Sequence, residues 1–334
     1  MKLKFLKLLV PCMASLVCLS GCGESDEYKQ TEEQKEAIAS YYANYNLELE
    51  GAFLLQELQK LCFKTHTVYV SYKSYSSYAT TTKDHLSSEI SPSTVVYGKD
   101  NEIDVIKTRD GSWKNEYFYT GKLATGVGTR EHVWPCANSD GLWVHDSDAG
   151  SHYVDGTKYK GGGSDLYHIR PSTSAVNTAR GNSKFCDFDD DEFESVRNTI
   201  VEYGDKGPYK LKLVGATMNG STPQYADKVE VDDHFKGDVA RILVYVWVHY
   251  GNHGNFDFIS EKNKEMLGGL DLCNVLGYGP DQERVYEKLC DWNRIDPPSS
   301  IEKLRNDTVQ KMQGNRNPFV DHPELMDKLL LELY

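Results

Sequence analysis

Between residues 129 and 182 the sequence spells out two short strands and a helix start, and few folds satisfy that order with the side chains it carries. The run "TREHVWP" (residues 129–135) has β-strand character and sets Glu131 beside His132. Adjacent residues on a strand point to opposite faces, so an acidic group and an imidazole made neighbours there can serve different partners. A stretch with many turn residues and little periodicity, "VHDSDAGSHYVDGTKYKGGGS", reads as a long loop. "DLYHIRP" then alternates and leaves at Pro171 into a turn, as a second strand would. "STSAVNTARGN" follows, a helix start with Ser172 or Thr173 as N-cap. Strand, loop, strand and helix can bring Glu131, His132 and Asn177 together at one end.

That grouping suits phosphodiester hydrolysis. Magnesium prefers oxygen ligands, keeps several waters and takes only one or two protein groups. A carboxylate and an amide oxygen are therefore enough to hold it against a phosphate, and an imidazole on the other side of the phosphorus can deprotonate a water.

The start of the chain reads as an export signal. Lys2, Lys4 and Lys7 precede a short apolar stretch from Leu8 to Leu19, too short for a comfortable membrane span. It ends in Leu19-Ser20-Gly21-Cys22, which looks like a bacterial lipobox; residues 1–21 would be the signal peptide and Cys22 the lipidated residue. Residues 22–35 are polar and acidic and read as a tether. Residues 36–334 hold no second long apolar run and suit one large domain or two small ones. The formal net charge is −13, and removal of three leader lysines makes the remainder more acidic. Passive, non-specific adhesion to nucleic acid is therefore disfavoured, and any action on phosphates must rest on a local basic patch or on metal ions. Loss of Cys12 and Cys18 and lipidation of Cys22 leave Cys62, Cys136, Cys186, Cys273 and Cys290, an odd number, so at least one stays unpaired.

Elsewhere, Tyr41, Tyr45, Leu49 and Ala52, then Leu54, Leu58 and Leu61, recur at helical spacing. "STVVYG", "EIDVIKT" and "WKNEYFYTG" read as strands, with "RDGS" as a turn. "FKGDVARILVYVWVHYG" reads as a helix capped by Asp232 or Asp233 and ending at Gly251, its core face including Val239, Leu243, Val246 and Tyr250. Ser299 with Glu302, and Asp321 with Glu324, fit capping boxes for two C-terminal helices. "QGNRNPFVDHPE" reads as a tight hydrogen-bonded connection before the last helix, or as a place where Arg316 reaches a nucleic-acid backbone. "DFDDDEFE" reads as a solvated acidic loop.

"TREHVWP", "DLYHIRPSTSAVNTARGN", "KGDVARILVYVWVHYG" and "QGNRNPFVDHPE" resemble, in order, the successive motifs of the bacterial endonuclease I family, from about Tyr41 to the C-terminus. The resemblance implies an α+β fold, with mixed helices and short antiparallel strands around a ββα-metal (His-Me finger) nuclease core. It implies an exported, Mg2+-dependent endonuclease with little sequence preference, Ca2+ or Mn2+ being the alternative ions. DNA, and RNA as well, would be the substrate, leaving 5′-phosphate and 3′-hydroxyl ends. Carried over by position, Glu131 and Asn177 would hold the metal and His132 would be the general base. Arg170 would assist at the phosphate, and Arg130, Arg180, His168 and Asn182 would contact substrate. The residues themselves also allow Arg170 and Arg180 as structural ion pairs, His168 as a support behind the base, and Asn182 as a holder of the loop after the helix. The chain departs from the pattern in reading Asp165-Leu166-Tyr167 where many members have Asp-Leu-His, with His168 one position later. It also has no arginine between Val133 and Ile169. Two other function classes fit the same residues: a catalytically silent surface lipoprotein that binds nucleic acid, and a phosphodiesterase acting on small nucleotides. The lipid on Cys22 would attach the protein to a membrane, at the periplasmic face or the cell surface, and no protein partner is implied.

Overall fold

The computed structural model describes residues 30–68, 105–107, 113–126, 128–135, 152–154, 157–159, 162–188, 198–203, 208–220, 222–254, 256–259, 264 and 267–333. The signal sequence with Cys22, the "STVVYG" strand, the "RDGS" turn, Cys136 and most of the acidic run after Asp187 lie outside these residues.

Helix α1 (Glu32–Tyr42) begins inside the stretch read as a tether, because Thr31 and Gln34 close a reciprocal capping box there. Helix α2 (Gly51–Thr65) follows and buries Leu54, Leu58 and Leu61. Strands β1 (Val105–Lys107), β2 (Trp113–Tyr117) and β3 (Lys122–Ala124) form an antiparallel meander. Strand β4 (Thr129–His132) comes next, then a small hairpin, β5 (His152–Val154) with β6 (Thr157–Tyr159), inside the segment read as loop. Strand β7 (Ile169–Ser172) pairs antiparallel with β4, and helix α3 (Ser174–Arg180) follows directly. This is the ββα unit. The second strand is shorter than "DLYHIRP" suggests, since residues 166–168 form a turn.

Beyond it, β8 (Lys184–Phe185), β9 (Asn198–Tyr203), β10 (Pro208–Val214) and β13 (Lys228–Glu230) build a four-stranded sheet in the order β8-β13-β10-β9. The hairpin β11 (Thr217–Asn219) and β12 (Thr222–Gln224) projects between β10 and β13. Helix α4 (Asp233–Tyr250) takes Asp232 as its N-cap and ends at Gly251, and from Phe235 onward all of its residues but Asp238 are buried. An apolar helix buried on every side is the centre of a core rather than a surface element. Helices α5 (Gln282–Ile295), α6 (Ser300–Gln313), α7 (Pro318–Asp321) and α8 (Leu325–Leu330) complete the chain. Asp321 does not cap the last helix. Its carboxylate accepts from buried Arg316, at 2.6 Å from Nε and 2.7 Å from Nη2, and Asp307 accepts from the same guanidinium at 2.6 Å. Arg316 is thus an internal tie, not a surface cation. Likewise Ser299 caps α6 as read, but Glu302 turns inward to Arg241, 2.6 Å away. Cys62, Cys186, Cys273 and Cys290 are buried free thiols.

Asp165, just ahead of β7, is the hub of a fully buried polar cluster. Its Oδ2 accepts from the hydroxyls of Tyr245 and Tyr250, each at 2.7 Å, and Oδ1 accepts from the Tyr167 amide at 2.8 Å and from Gln313 at 3.1 Å. Burial pushes the Asp165 carboxyl up, but His66, His249 and the two hydroxyls outweigh it and hold the group below its usual range. Burial and the neighbouring His66 push His249 well below the ordinary imidazole range, and burial also lowers His66 and His168. In the unfolded chain these imidazoles take up protons near pH 6.5; in the folded chain they do not until lower pH. The unfolded state therefore binds more protons in that window, and stability falls as pH drops from about 7 toward 5, by at most ~1.4 kcal/mol per pH unit for each such histidine. Denaturant unfolding at several pH values should show this slope, and His249→Gln should make it shallower. An unchanged slope in the variant would exclude His249 as a source.

Candidate nuclease site

Backbone pairing sets the register of the site. In the β4–β7 ladder Glu131 lies opposite Arg170 and His132 opposite Ile169. Gly128, at φ +60, precedes β4, and a Cβ there would sit 2.3 Å from the Ser172 carbonyl oxygen, so only glycine lets the two strands begin this close. Thr173 caps α3 by accepting from the Val176 amide at 3.1 Å. That cap starts the helix where Asn177 faces back toward β4: its Nδ2 donates to the Arg130 carbonyl at 3.1 Å and to Thr129 Oγ1 at 3.3 Å.

Arg130, Glu131, His132, Asn177, Arg180 and Asn182 line one cleft of about 330 Å³, together with Pro135, Thr178, Gly181 and Tyr225. Glu131 is 2 % exposed. Its Oε1 accepts from the Tyr119 hydroxyl at 2.8 Å and pairs with Arg180 Nη1 at 3.2 Å. Both contacts fall on one oxygen, which leaves Oε2 for a cation. Burial raises the Glu131 carboxyl above its usual range, although Arg180 and Tyr119 oppose the shift; a bound cation would favour the ionised form further. With Nδ2 of Asn177 committed to the strand, its Oδ1 is the second oxygen donor. A carboxylate and an amide oxygen with room for water fit a hard divalent ion such as Mg2+.

His132 has its Nε2 2.8 Å from the Gly163 carbonyl oxygen. A carbonyl can only accept, so Nε2 carries the proton and Nδ1 is the basic atom. Two residues expected from sequence to contact substrate are buried. His168 is fully buried behind His132, with ring centroids 5.2 Å apart. Its Nδ1 meets the Gly162 carbonyl at 2.7 Å and its Nε2 accepts from the Trp134 amide at 2.9 Å, so it ties the two strands together. Arg180 lies under the cleft, 1 % exposed, donating to the carbonyls of His132, Val133 and Gly181 and stacked 4.6 Å over Phe185. Arg170 is half-buried over Phe118 at 4.4 Å, beside Glu131 on the same face of the ladder rather than in the cleft lining.

Sequence reasoning missed Tyr119, whose hydroxyl orients Glu131, and Tyr225 at the cleft rim. It also missed that His66, Asp165 and His249 form a metal-type group with donors within 4.8 Å of one another. The tyrosine hydroxyls on Asp165 make that group a hydrogen-bonded core. A larger cavity, about 440 Å³, is lined by Lys184, Trp247, Asp271 and Cys273 among others. Burial and Asp271 push the Cys273 thiol up to about 11, so it is no nucleophile at neutral pH.

The Glu131–Arg180 pair can be tested without any substrate. Arg180→Met leaves a buried carboxylate without its counter-charge and should cost ~3–5 kcal/mol in denaturant unfolding. Adding Glu131→Gln to that variant should recover part of the loss; a double variant no more stable than Arg180→Met would show that the pair is not coupled.

The sequence matches the Endonuclease I family over residues 53–324. It is 35 % identical over 232 residues to an extracellular ribonuclease of Bacillus subtilis (strain 168), covering 69 % of this chain and 62 % of that protein. An extracellular ribonuclease of Bacillus amyloliquefaciens is 33 % identical over 207 residues, 62 % of this chain and 55 % of the relative. The matches thus span somewhat over half the length of these relatives. With the ββα unit and the cleft it carries, the match over residues 53–324 means that this chain belongs to the endonuclease I family.

Proposed function

We propose that the protein is an exported, lipid-anchored, divalent-metal-dependent endonuclease that hydrolyses DNA and RNA with little sequence preference, leaving 5′-phosphate and 3′-hydroxyl ends. The observation that carries this reading is the contact of His132 Nε2 with the Gly163 carbonyl, in a cleft that His132 shares with Glu131 and Asn177. Nδ1 of His132 accepts a proton from the water that attacks phosphorus, while the Gly163 carbonyl holds the ring through Nε2–H and stabilises the imidazolium that forms. Glu131 and Asn177 would hold Mg2+, or Ca2+ or Mn2+ in its place, which supplies neutralisation of the charge developing on the leaving 3′-oxygen. Arg130 and Asn182, on the cleft lining, contact the phosphate backbone on either side. None of these groups reads a base edge, which accounts for the lack of sequence preference. The two relatives named extracellular ribonucleases support RNA as a substrate and export as the destination.

Plasmid DNA and RNA digested with and without EDTA, beside His132→Ala, test the mechanism. Cleavage should require the metal and fall by about two or more orders of magnitude in the variant. If the protein cleaves a dinucleotide diester but neither polymer, the small-nucleotide reading replaces this one, and no cleavage with any divalent ion would end both. Export and anchoring are tested separately: Cys22→Ser should move the protein from the membrane fraction to the soluble one, and an unchanged distribution would remove the lipid.

A further inference from the structure

Tyr225 stands at the rim of the same cleft, in the turn between β12 and β13, and no part of the proposed chemistry uses it. Its side chain is 65 % exposed, among the most exposed large hydrophobic residues described. Its backbone is left-handed, at φ +53. That conformation is unfavourable for a bulky residue and, where it persists, is imposed by surrounding structure. The imposing contacts are plain. The Tyr225 amide donates to the Thr178 carbonyl at 3.1 Å, the Ala226 amide to the Ala179 carbonyl at 2.9 Å, and the Asp227 amide to the Val214 carbonyl at 2.8 Å. The turn is thus pinned to α3, the helix that carries Asn177 and Arg180. Gly181, at the end of that helix, makes the approach feasible, since a Cβ there would meet the ring at 3.3 Å. The hydroxyl makes no hydrogen bond to the described residues. A strained backbone therefore holds an aromatic face in solvent beside His132, where a smaller or left-handed-tolerant residue would fold more easily.

We propose that Tyr225, seated over Gly181, is a nucleobase subsite that stacks an unpaired base flanking the scissile phosphate and biases the enzyme toward single-stranded nucleic acid. This rests on the nuclease reading of the cleft. Two arguments converge on the ligand class. The chain carries −13, so charge attraction to the phosphates does not supply the general affinity that a basic nuclease enjoys. Stacking on an aromatic ring supplies affinity without charge and without sequence preference, because every base has a π-face. Bases in a duplex are stacked on each other and offer only their edges, whereas single strands can splay a base onto the ring. Tyr225 is a binding residue in this scheme and takes no part in proton transfer.

The test separates binding from cleavage. A short fluorescent single strand, the same strand in a duplex, and an abasic version are titrated into the protein in EDTA, and steady-state cleavage is then measured with Mg2+. Tyr225→Ala should weaken single-strand binding about tenfold or more, leave duplex binding much less changed, and raise KM more than it lowers kcat. Tyr225→Trp should retain the affinity. Tyr225→Gly should lose it while raising the unfolding midpoint, since glycine accepts the left-handed backbone; a merely structural tyrosine would lose both together. Wild-type protein should bind the abasic strand as weakly as Tyr225→Ala binds the intact one. The subsite is overturned if Tyr225→Ala binds the single strand like the wild type, if duplex and single strand lose equally, if Trp fails as Ala does, or if the wild type binds no single strand. Tyr225-dependent binding by a protein that cleaves nothing would keep the subsite and remove the nuclease, whereas cleavage unaffected by Tyr225→Ala would do the reverse.

Discussion

A guanidinium taken out of water is strongly destabilising unless its donors are met by acceptors, and the geometry of this site follows from how Arg180 meets that demand. At 1 % exposure its Nη groups find the Glu131 carboxylate and the carbonyls of His132, Val133 and Gly181, and its plane finds the face of Phe185, while Nε is buried without a hydrogen-bond partner among the described residues. These acceptors belong to the last residues of β4 and to the end of α3. One side chain therefore locks the strand that bears Glu131 and His132 to the helix that bears Asn177. It also decides which oxygen of Glu131 is free. Arg180 and Tyr119 both bind Oε1, so Oε2 alone remains for a cation. The position of the acidic group is thus set from inside the fold.

His132 is held from the opposite direction. Successive carbonyls orient the two neighbouring histidine rings: Gly162 meets His168 and Gly163 meets His132. Both glycines sit at the far end of the long segment joining β4 to β7, where precision is hardest to maintain. What steadies that end is the Asp165 hub immediately after it, tied to Tyr245 and Tyr250 on α4 and to Gln313 on α6. Arg305 adds bonds to the carbonyls of Leu166 and Ile169 on either side of His168. The residues that orient His132 are thus anchored to the central helix rather than to the segment that precedes them.

What the sequence makes legible is the local part of this design. The caps beside α3 and α4, the two strands that flank the long segment, and Asn177 at a helix start all follow from neighbouring residues. The parts that escape are those created by distance or by backbone. Tyr119 reaches Glu131 from another sheet, and Tyr225 reaches the cleft from more than forty residues beyond α3. Gly163 contributes only a carbonyl, which no side-chain pattern announces. Arginines stay ambiguous, because a sequence cannot distinguish a cation waiting for phosphate from one that is already neutralised. Arg180 and Arg316 are both of the second kind, each with internal carboxylates for company. The same holds for His168, whose burial behind His132 no local pattern announces.

The burial of these arginines bears on how an acidic protein would act on a polyanion. Charges spent inside the fold cannot attract substrate, and the remaining surface repels it at long range. That repulsion is screened beyond about 8–10 Å at physiological ionic strength, so it slows approach more than it weakens a strand already in the cleft. In the proposed reading contact energy would then come from short-range sources: a cation held by Glu131 and Asn177, the Arg130 and Asn182 lining, and an exposed aromatic face. Each of these acts on a phosphate or on the flat of a base, and none depends on which base it is. A negative surface and an unselective site are therefore compatible, since both leave recognition to groups within a few ångströms of the bond being cut.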